Sequence, residues 1–349
     1  MASVRQIASK AGVSVATVSR ALNNHPDVSE ETRRKVLEVA EGAGYAPAVG
    51  RRPTNVIGLI YPDDPVRPDF GNFESAMLQG LLKGTNELKF DITFINLHRD
   101  RTPVETYRQF FHRKGIRGAV LRGLEDTSEI SEAIAAEGLP AIFIADRSED
   151  PRVNFIACES RTTSERAVEH LIHLGHQRIA LGVHANLDSD HADREAGYAA
   201  ALARHGIERR DDYTVKAVAS PEGGQMMLDR LLSLPEPPTA IYFTDPMSTV
   251  GALHRCLHLG IRVPHELSIV GFDDSDVRFH TFPRFTAVCQ DAFALGLEAS
   301  RWLTRSLEGE ANKVFRQMRE TTFSVHESTG LVPDQPAMLR DGKKVSRDD

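Results

Sequence analysis

The 349-residue sequence is poor in cysteine, in tryptophan and in long apolar runs. Its three cysteines, Cys158, Cys256 and Cys289, lie far apart. An odd number without short spacings excludes a disulfide framework and a cysteine-built zinc site, and it predicts a reducing compartment. No stretch approaches the roughly 20 apolar residues that cross a bilayer. The opening residues, MASVRQIASK, lack the apolar centre of a secretory leader, so the expected location is cytoplasmic, away from any membrane. The motifs GxSxG, GxxxxGK(S/T), HExxH, CxxC and GxGxxG are all missing, which leaves hydrolase, P-loop, zinc and dinucleotide chemistry without a starting point. Asp273 and Asp274 could form an acid pair, but no nucleophile accompanies them. The chain is therefore read as a non-enzyme with no cofactor and no metal.

What is present is an ordinary globular composition, 26% charged and 41% hydrophobic, with a net charge of −7. Taken whole, that charge argues against a nucleic-acid partner. Its distribution argues the other way. Residues 1–55 hold eight Lys and Arg against five acids, a net +3, which leaves −10 on the remainder. A small basic head precedes a large acidic body.

The head reads as three short helices, over about 4–10, 15–22 and 30–41, capped by Ser3, Ser14 and Ser29. Gly12 ends the first helix. Ile7, Ala8, Ala11, Val13, Val18, Val28, Val36 and Ala40 supply a small core that Tyr45 is expected to close. Two helices meeting at Gly12-Val13-Ser14 form a helix-turn-helix, whose second helix lies in the DNA major groove. Val15 and Ala16 would then present methyl groups to thymines, and Arg20 could reach O6 and N7 of a guanine. Thr17, Ser19 and Asn23 suit phosphate oxygens.

From residue 56, short β-branched runs alternate with helix-length amphipathic stretches. The runs are VIGLIY (56–61), ITFINL (92–97), GAVLR (118–122), AIFIA (141–145), FIACE (155–159), RIALGV (178–183), AIYFT (240–244), LSIVGF (267–272) and FTAVCQ (285–290). This alternation predicts an α/β fold with parallel sheets, and its length suggests two lobes. The domain scheme is a head over 1–47, a basic linker over 48–55, a two-lobed body over 56–330 and a loose polar tail over 331–349. His170, His173 and His176 have metal-like spacing, but they fall on and just after a helix and read as a solvated cluster.

In open α/β sheets, ligands collect beyond the carboxyl ends of the strands. Arg122, Asp146, Asp245, Asp273 and Gln290 stand at such ends, and Arg194, with Asp190 four residues before it, opens a helix. Carboxylates, amides and guanidinium groups suit a hydroxyl-rich ligand. For each strand-end aspartate the alternative is to cap the following helix.

The head segment IASKAGVSVATVSRALN, with VSEETRRKVLEVAEGAGYAP after it, resembles the lactose/galactose-repressor family of bacterial regulators. HLIHLGHQRIAL (170–181), DREAGYAAAL (193–202), GIRVPHELSIVGFDD (260–274) and FPRFTAVCQD (282–291) extend the resemblance over nearly the whole chain. It implies a periplasmic-binding-protein-like body and a homodimeric repressor of double-stranded operator DNA, controlled by a small effector such as a sugar, polyol or sugar acid. By position, Asp146, Arg194, Asp245, Asp273 and Gln290 resemble the family's sugar-contacting set. Phe73 resembles its stacking aromatic, and Asp190 and Arg122 occupy contacting positions that vary with effector. The linker departs from the family pattern: it is short, broken by Gly50 and Pro53, and lacks the leucine that enters the minor groove. Arg51 and Arg52 are expected near that groove instead. The rival readings are a sugar-transport binding protein, which would not need the helix-turn-helix, and a regulator answering to a nucleobase or nucleoside.

Overall fold

The computed structural model of the chain describes residues 3–22, 25, 27–43, 55–62, 71–122, 127–185, 189–310 and 314–345. The head forms α1 (Val4–Ala11), α2 (Val15–Leu22) and α3 (Glu30–Gly42). Ser3 and Gln6 exchange side-chain and backbone hydrogen bonds in a reciprocal cap at the start of α1. Gly12 takes a left-handed φ of 68° at its end, a conformation costly for any side chain. The Ser14 and Ser29 hydroxyls accept the amides of Thr17 and Thr32, starting α2 and α3. Ile7, Ala8, Ala11, Val18, Ala21, Val28, Val36 and Ala40 are buried together and Val13 packs against them. Tyr45, proposed to close this core, lies outside the described residues.

The body continues with β1 (Val56–Tyr61), α4 (Asn72–Glu87), β2 (Asp91–Asn96), α5 (Leu97–Asp100), α6 (Tyr107–Lys114), β3 (Gly118–Leu121), α7 (Thr127–Ala136), β4 (Ala141–Ile144) and β5 (Phe155–Glu159). There follow α8 (Arg161–His173), β6 (Ile179–His184), α9 (Ser189–Arg204), β7 (Thr214–Ala217), α10 (Pro221–Leu232), β8 (Ala240–Phe243), α11 (Pro246–Leu259) and β9 (Ser268–Asp273). The chain ends through β10 (Thr286–Cys289), α12 (Ala292–Leu307), β11 (Arg316–Glu320), β12 (Thr322–Ser324), β13 (Leu339–Arg340) and β14 (Lys343–Lys344).

Among the described residues these strands form two six-stranded sheets. Lobe 1 has the order β11-β5-β4-β3-β1-β2, all parallel; lobe 2 has β12-β10-β9-β8-β6-β7, parallel except for β12. The apolar runs are buried on both faces because helices cover both sides. The chain passes between the lobes three times: from β5 into α8, from β10 into α12, and from β11 into β12.

Two expectations need correction. The stretch from 331 is not loose as far as residue 345. β13 and β14 pair as a hairpin, Ala337 and Leu339 are buried in the lobe 2 core, and Lys344 Nζ donates to Glu266 Oε2 at 2.8 Å. The three histidines are not a solvated cluster either. His176 is fully buried, its ring nitrogens within hydrogen-bond distance of the Thr239 and Ser268 hydroxyls and the Gly330 carbonyl. His170 meets the Thr329 hydroxyl at 3.0 Å, while the His173 ring lies edge-on to His205.

Candidate DNA-reading helix and effector cleft

α2 exposes four of the side chains proposed for DNA. Val15 is 47% exposed although it is apolar, and Ala16, Ser19 and Arg20 are exposed beside it. The inner face of the same helix is packed, with Val18 and Ala21 buried in the head core. Thr17 is half-buried, with its hydroxyl 2.8 Å from that of Ser14. Asn23, Arg51 and Arg52 lie outside the described residues. Arg33 has a different role from the other basic residues of the head. It is buried, pairs with Glu30, and donates to the carbonyls of His25 and Val28. The charge available for phosphates is therefore smaller than the count suggests.

In the body, the proposed residues gather where the carboxyl ends of both sheets face each other. On the lobe 1 side, Arg122 leaves β3 and donates through Nε to Glu74 Oε1 at 2.9 Å. Tyr61, at the end of β1, donates its hydroxyl to the other oxygen of Glu74 at 2.8 Å. Burial and the adjacent Glu74 carboxylate hold the Tyr61 phenol well above its usual range. The Arg122 guanidinium lies 4.6 Å over the Phe73 ring, and Phe73 and Glu74 occupy the first turn of α4. Asp146 follows β4 and accepts the Arg147 amide at 2.8 Å.

On the lobe 2 side, Arg194 is buried in α9. Its Nη1 donates to the Thr244 carbonyl at 2.7 Å, Nη2 lies 3.9 Å from Asp190, and the guanidinium stacks 3.5 Å over Phe272. Its Nε is buried with no hydrogen-bond partner, as is Oε1 of Gln290. Gln290 Nε2 donates to Asp274 Oδ1 at 2.5 Å. Asp245 caps α11, accepting the amides of Met247 and Ser248 at 2.8 and 3.0 Å, so the capping alternative describes that Oδ1.

Asp273 is engaged locally. Its carboxylate accepts the amides of Ser275, Val277 and Arg278 and pairs with the Arg278 guanidinium at 2.6 Å. The carboxylate beside Arg194 and Gln290 is that of Asp274. Burial, reinforced by Asp245 and Asp273 and opposed by Arg194 and Gln290, raises its pKa to about 7. The ordinary value for such a group is near 4.

Sequence reasoning missed several members. Glu74 and Tyr61 orient Arg122, and Glu74 directly follows Phe73. Arg147 donates two hydrogen bonds to Asp193, at 2.7 and 2.9 Å, and so joins β4 of lobe 1 to α9 of lobe 2. Asn72 and Met247 make a second contact between the lobes, Nδ2 to Sδ at 3.3 Å. Among the described residues no cluster of His, Cys, Asp and Glu is placed to hold a metal ion. Burial pushes the thiols of Cys158, Cys256 and Cys289 up to about 12, which leaves no thiolate nucleophile at neutral pH.

A helix-turn-helix head on a two-lobed binding body is the architecture that the comparisons return. Residues 3–48 match the model of bacterial regulatory proteins, lacI family, and residues 168–329 match a periplasmic binding protein-like domain. The regulator reg1 of Streptomyces lividans is 30% identical over 87% of this chain and 89% of its own. The chain belongs to the LacI family of transcriptional regulators. The probable repressor ExuR of Bacillus subtilis is 28% identical over 94% of this chain and 98% of its own. In structure, the regulator CelR in complex with cellobiose covers 94% of this chain and all of its own, at 25% identity and a TM-score of 0.66. As a LacI-family member the chain is a DNA-binding transcriptional regulator, from a family of non-enzymes. No helix among the described residues is long and apolar enough to cross a membrane.

Proposed function

We propose that this LacI-family regulator is a cytoplasmic homodimeric repressor whose operator affinity is set by a hydroxyl-rich effector, a sugar or polyol, held between the lobes. The observation that carries this reading is the unmatched polar pair in lobe 2. Arg194 Nε–H is a donor without an acceptor, and Gln290 Oε1 is an acceptor without a donor. Each unsatisfied group costs about 1–3 kcal/mol when buried. A hydroxyl both gives and takes a hydrogen bond, so adjacent hydroxyls suit a mixed set better than a purely anionic group does. Arg122 and Arg278 are already paired closely with Glu74 and Asp273, which disfavours a sugar acid. Phe73 offers an apolar face for a sugar ring, Asp146, Asp190 and Asp245 line the rim, and Asp274 replaces Asp273 in the set. The bound cellobiose of CelR supports the ligand class.

On the DNA side, Val15, Ala16 and Arg20 read base edges and Thr17, Ser19 and Asn23 hold phosphates. Arg51 and Arg52 of the 48–55 linker lie near the minor groove. Two heads read two half-sites about one helical turn apart. Effector changes operator affinity only through its differential affinity for two arrangements of the lobes. Titration calorimetry with neutral saccharides, polyols and sugar acids tests the cleft. The expected result is heat from a neutral member, abolished in Arg194→Ala. Silence from the whole panel, or binding that survives Arg194→Ala unchanged, would sink the reading.

A further inference from the structure

The pole of lobe 1 opposite the cleft carries a polar junction with no part in effector or DNA contact. The parallel strands β1, β2 and β3 all begin there, and Asn55 is the residue through which the chain arrives from the head and linker. Arg117 gathers three partners at this point. Its Nη1 donates to Asn55 Oδ1 at 3.1 Å and to Glu308 Oε1 at 2.8 Å, and its Nη2 donates to the Leu307 carbonyl at 2.6 Å. The guanidinium lies 5.2 Å over the Phe90 ring. Asn55 is also held through its backbone, its carbonyl accepting the Asp91 amide at 2.7 Å. One side chain thus links the arriving chain to the C-terminal end of α12, where a cation is favoured by the helix dipole.

α12 leads from there to the cleft. It starts two residues after Gln290, and α4 starts with Phe73 and Glu74 in its first turn. Each helix has 16 residues, a length of about 24 Å at the usual rise. The two pack backbone to backbone. A Cβ added at Gly80 would stand 2.0 Å from the Phe293 carbonyl oxygen, and one at Gly296 would stand 2.1 Å from that of Met77. A contact this close resists sliding, because any displacement meets main chain instead of flexible side chains. Towards the far end, Arg301 pairs with Glu87 and keeps the helices in register.

We propose that Arg117 is the positioning residue that fixes where the DNA-binding head leaves the body, by fastening Asn55 to the far end of the α4–α12 strut. The near end of that strut forms the lobe 1 wall of the cleft. With Arg117 in place, the two arriving chains of a dimer have a defined separation, and a change at the cleft reaches the heads as a displacement of that origin. Without it, the Asn55 side chain and the α12 end separate, only the main-chain bond to Asp91 still holds the arriving residue, and the heads tolerate a wider range of separations. The inference rests on the dimeric operator reading above.

The test uses the full-length protein and a duplex selected by it from random sequence, with its two half-sites at the selected spacing or one base pair wider. An insertion of one base pair turns a half-site by about 35°, and the wild-type protein is expected to lose about tenfold or more in affinity. Arg117→Ala is expected to cut that penalty below about threefold, and Arg117→Lys is expected not to restore it, since one ammonium cannot replace a planar three-way donor. Asn55→Ala, which leaves Arg117 on α12, should relax spacing in the same way and decides the matter should Arg117→Ala not fold. The readout is a ratio, so partial loss of active protein cancels. A tenfold penalty retained in both Arg117→Ala and Asn55→Ala would overturn the proposal. A wild-type protein indifferent to spacing would instead overturn the dimeric reading beneath it.

Discussion

The two walls of the cleft contain similar residues and treat them differently. In lobe 1, Arg122 is enclosed by Glu74, Tyr61 and Phe73, and both oxygens of Glu74 are taken. In lobe 2, Arg194 has a backbone acceptor and a distant carboxylate, yet its Nε remains unmatched, as does Gln290 Oε1. In the first wall the guanidinium is fastened by a close ion pair with a carboxylate that is itself fully used; in the second it has no close carboxylate of its own. On the proposed reading, the effector gains more from Arg194 and Gln290 of lobe 2 than from the paired Arg122 of lobe 1.

The largest expected effect comes from Arg194→Ala. Effector affinity should fall by about 100-fold or more, because Asp190 and Asp274 lose a buried cation and the ligand loses its donor. Arg122→Ala should cost clearly less affinity while lowering thermal stability, since Glu74 would be left buried beside Tyr61. Equal affinity losses in the two variants, measured by calorimetry, would erase the distinction between the walls. Gln290→Leu removes the unmatched acceptor and should weaken effector by about tenfold, in line with one hydrogen bond.

Asp274 sharpens the comparison through pH. Its folded pKa, about 7, lies above the ordinary carboxylate value, so the folded state binds its proton more tightly than the unfolded chain does. That contribution to stability is complete at low pH and is lost as pH rises through about 7. Melting curves between pH 5 and 8 should show the wild type losing stability relative to Asp274→Asn across that interval. Parallel curves would mean the carboxylate is not held as described. The smallest effect is expected from Arg147→Ala, which breaks the pair with Asp193 between the lobes. A partly exposed ion pair contributes up to about 1 kcal/mol, so effector affinity should move by less than about fivefold.

Most of the fold could be read from the chain because helices and buried parallel strands announce themselves over single segments. The strand from 268 begins and ends one residue later than its apolar run, and Arg194, expected to open a helix, lies in the second turn of α9, which starts at Ser189. The tail was misread for a physical reason. Ala337 and Leu339 are isolated apolar residues in a polar stretch, and their burial depends on a surface built by α11 and β9. At the site, neighbouring residues at a strand end point opposite ways, and the sequence did not show that Asp274 lies beside Gln290. That arrangement depends on the turn that follows, whose amides capture Asp273. Arg147 and Asp193 escaped notice because their partnership exists only once two lobes face each other.

The threefold crossing between lobes has a consequence for synthesis. β11 is an edge strand of the lobe 1 sheet, and α12 packs across β3, β4 and β5 of the same lobe. As the polypeptide emerges from the ribosome, the first lobe therefore cannot be completed until residue 320 has appeared, after nearly all of the second lobe. The basic head, a contiguous segment, can fold long before. All the residues of the head core are thus made more than 250 residues before those that complete lobe 1.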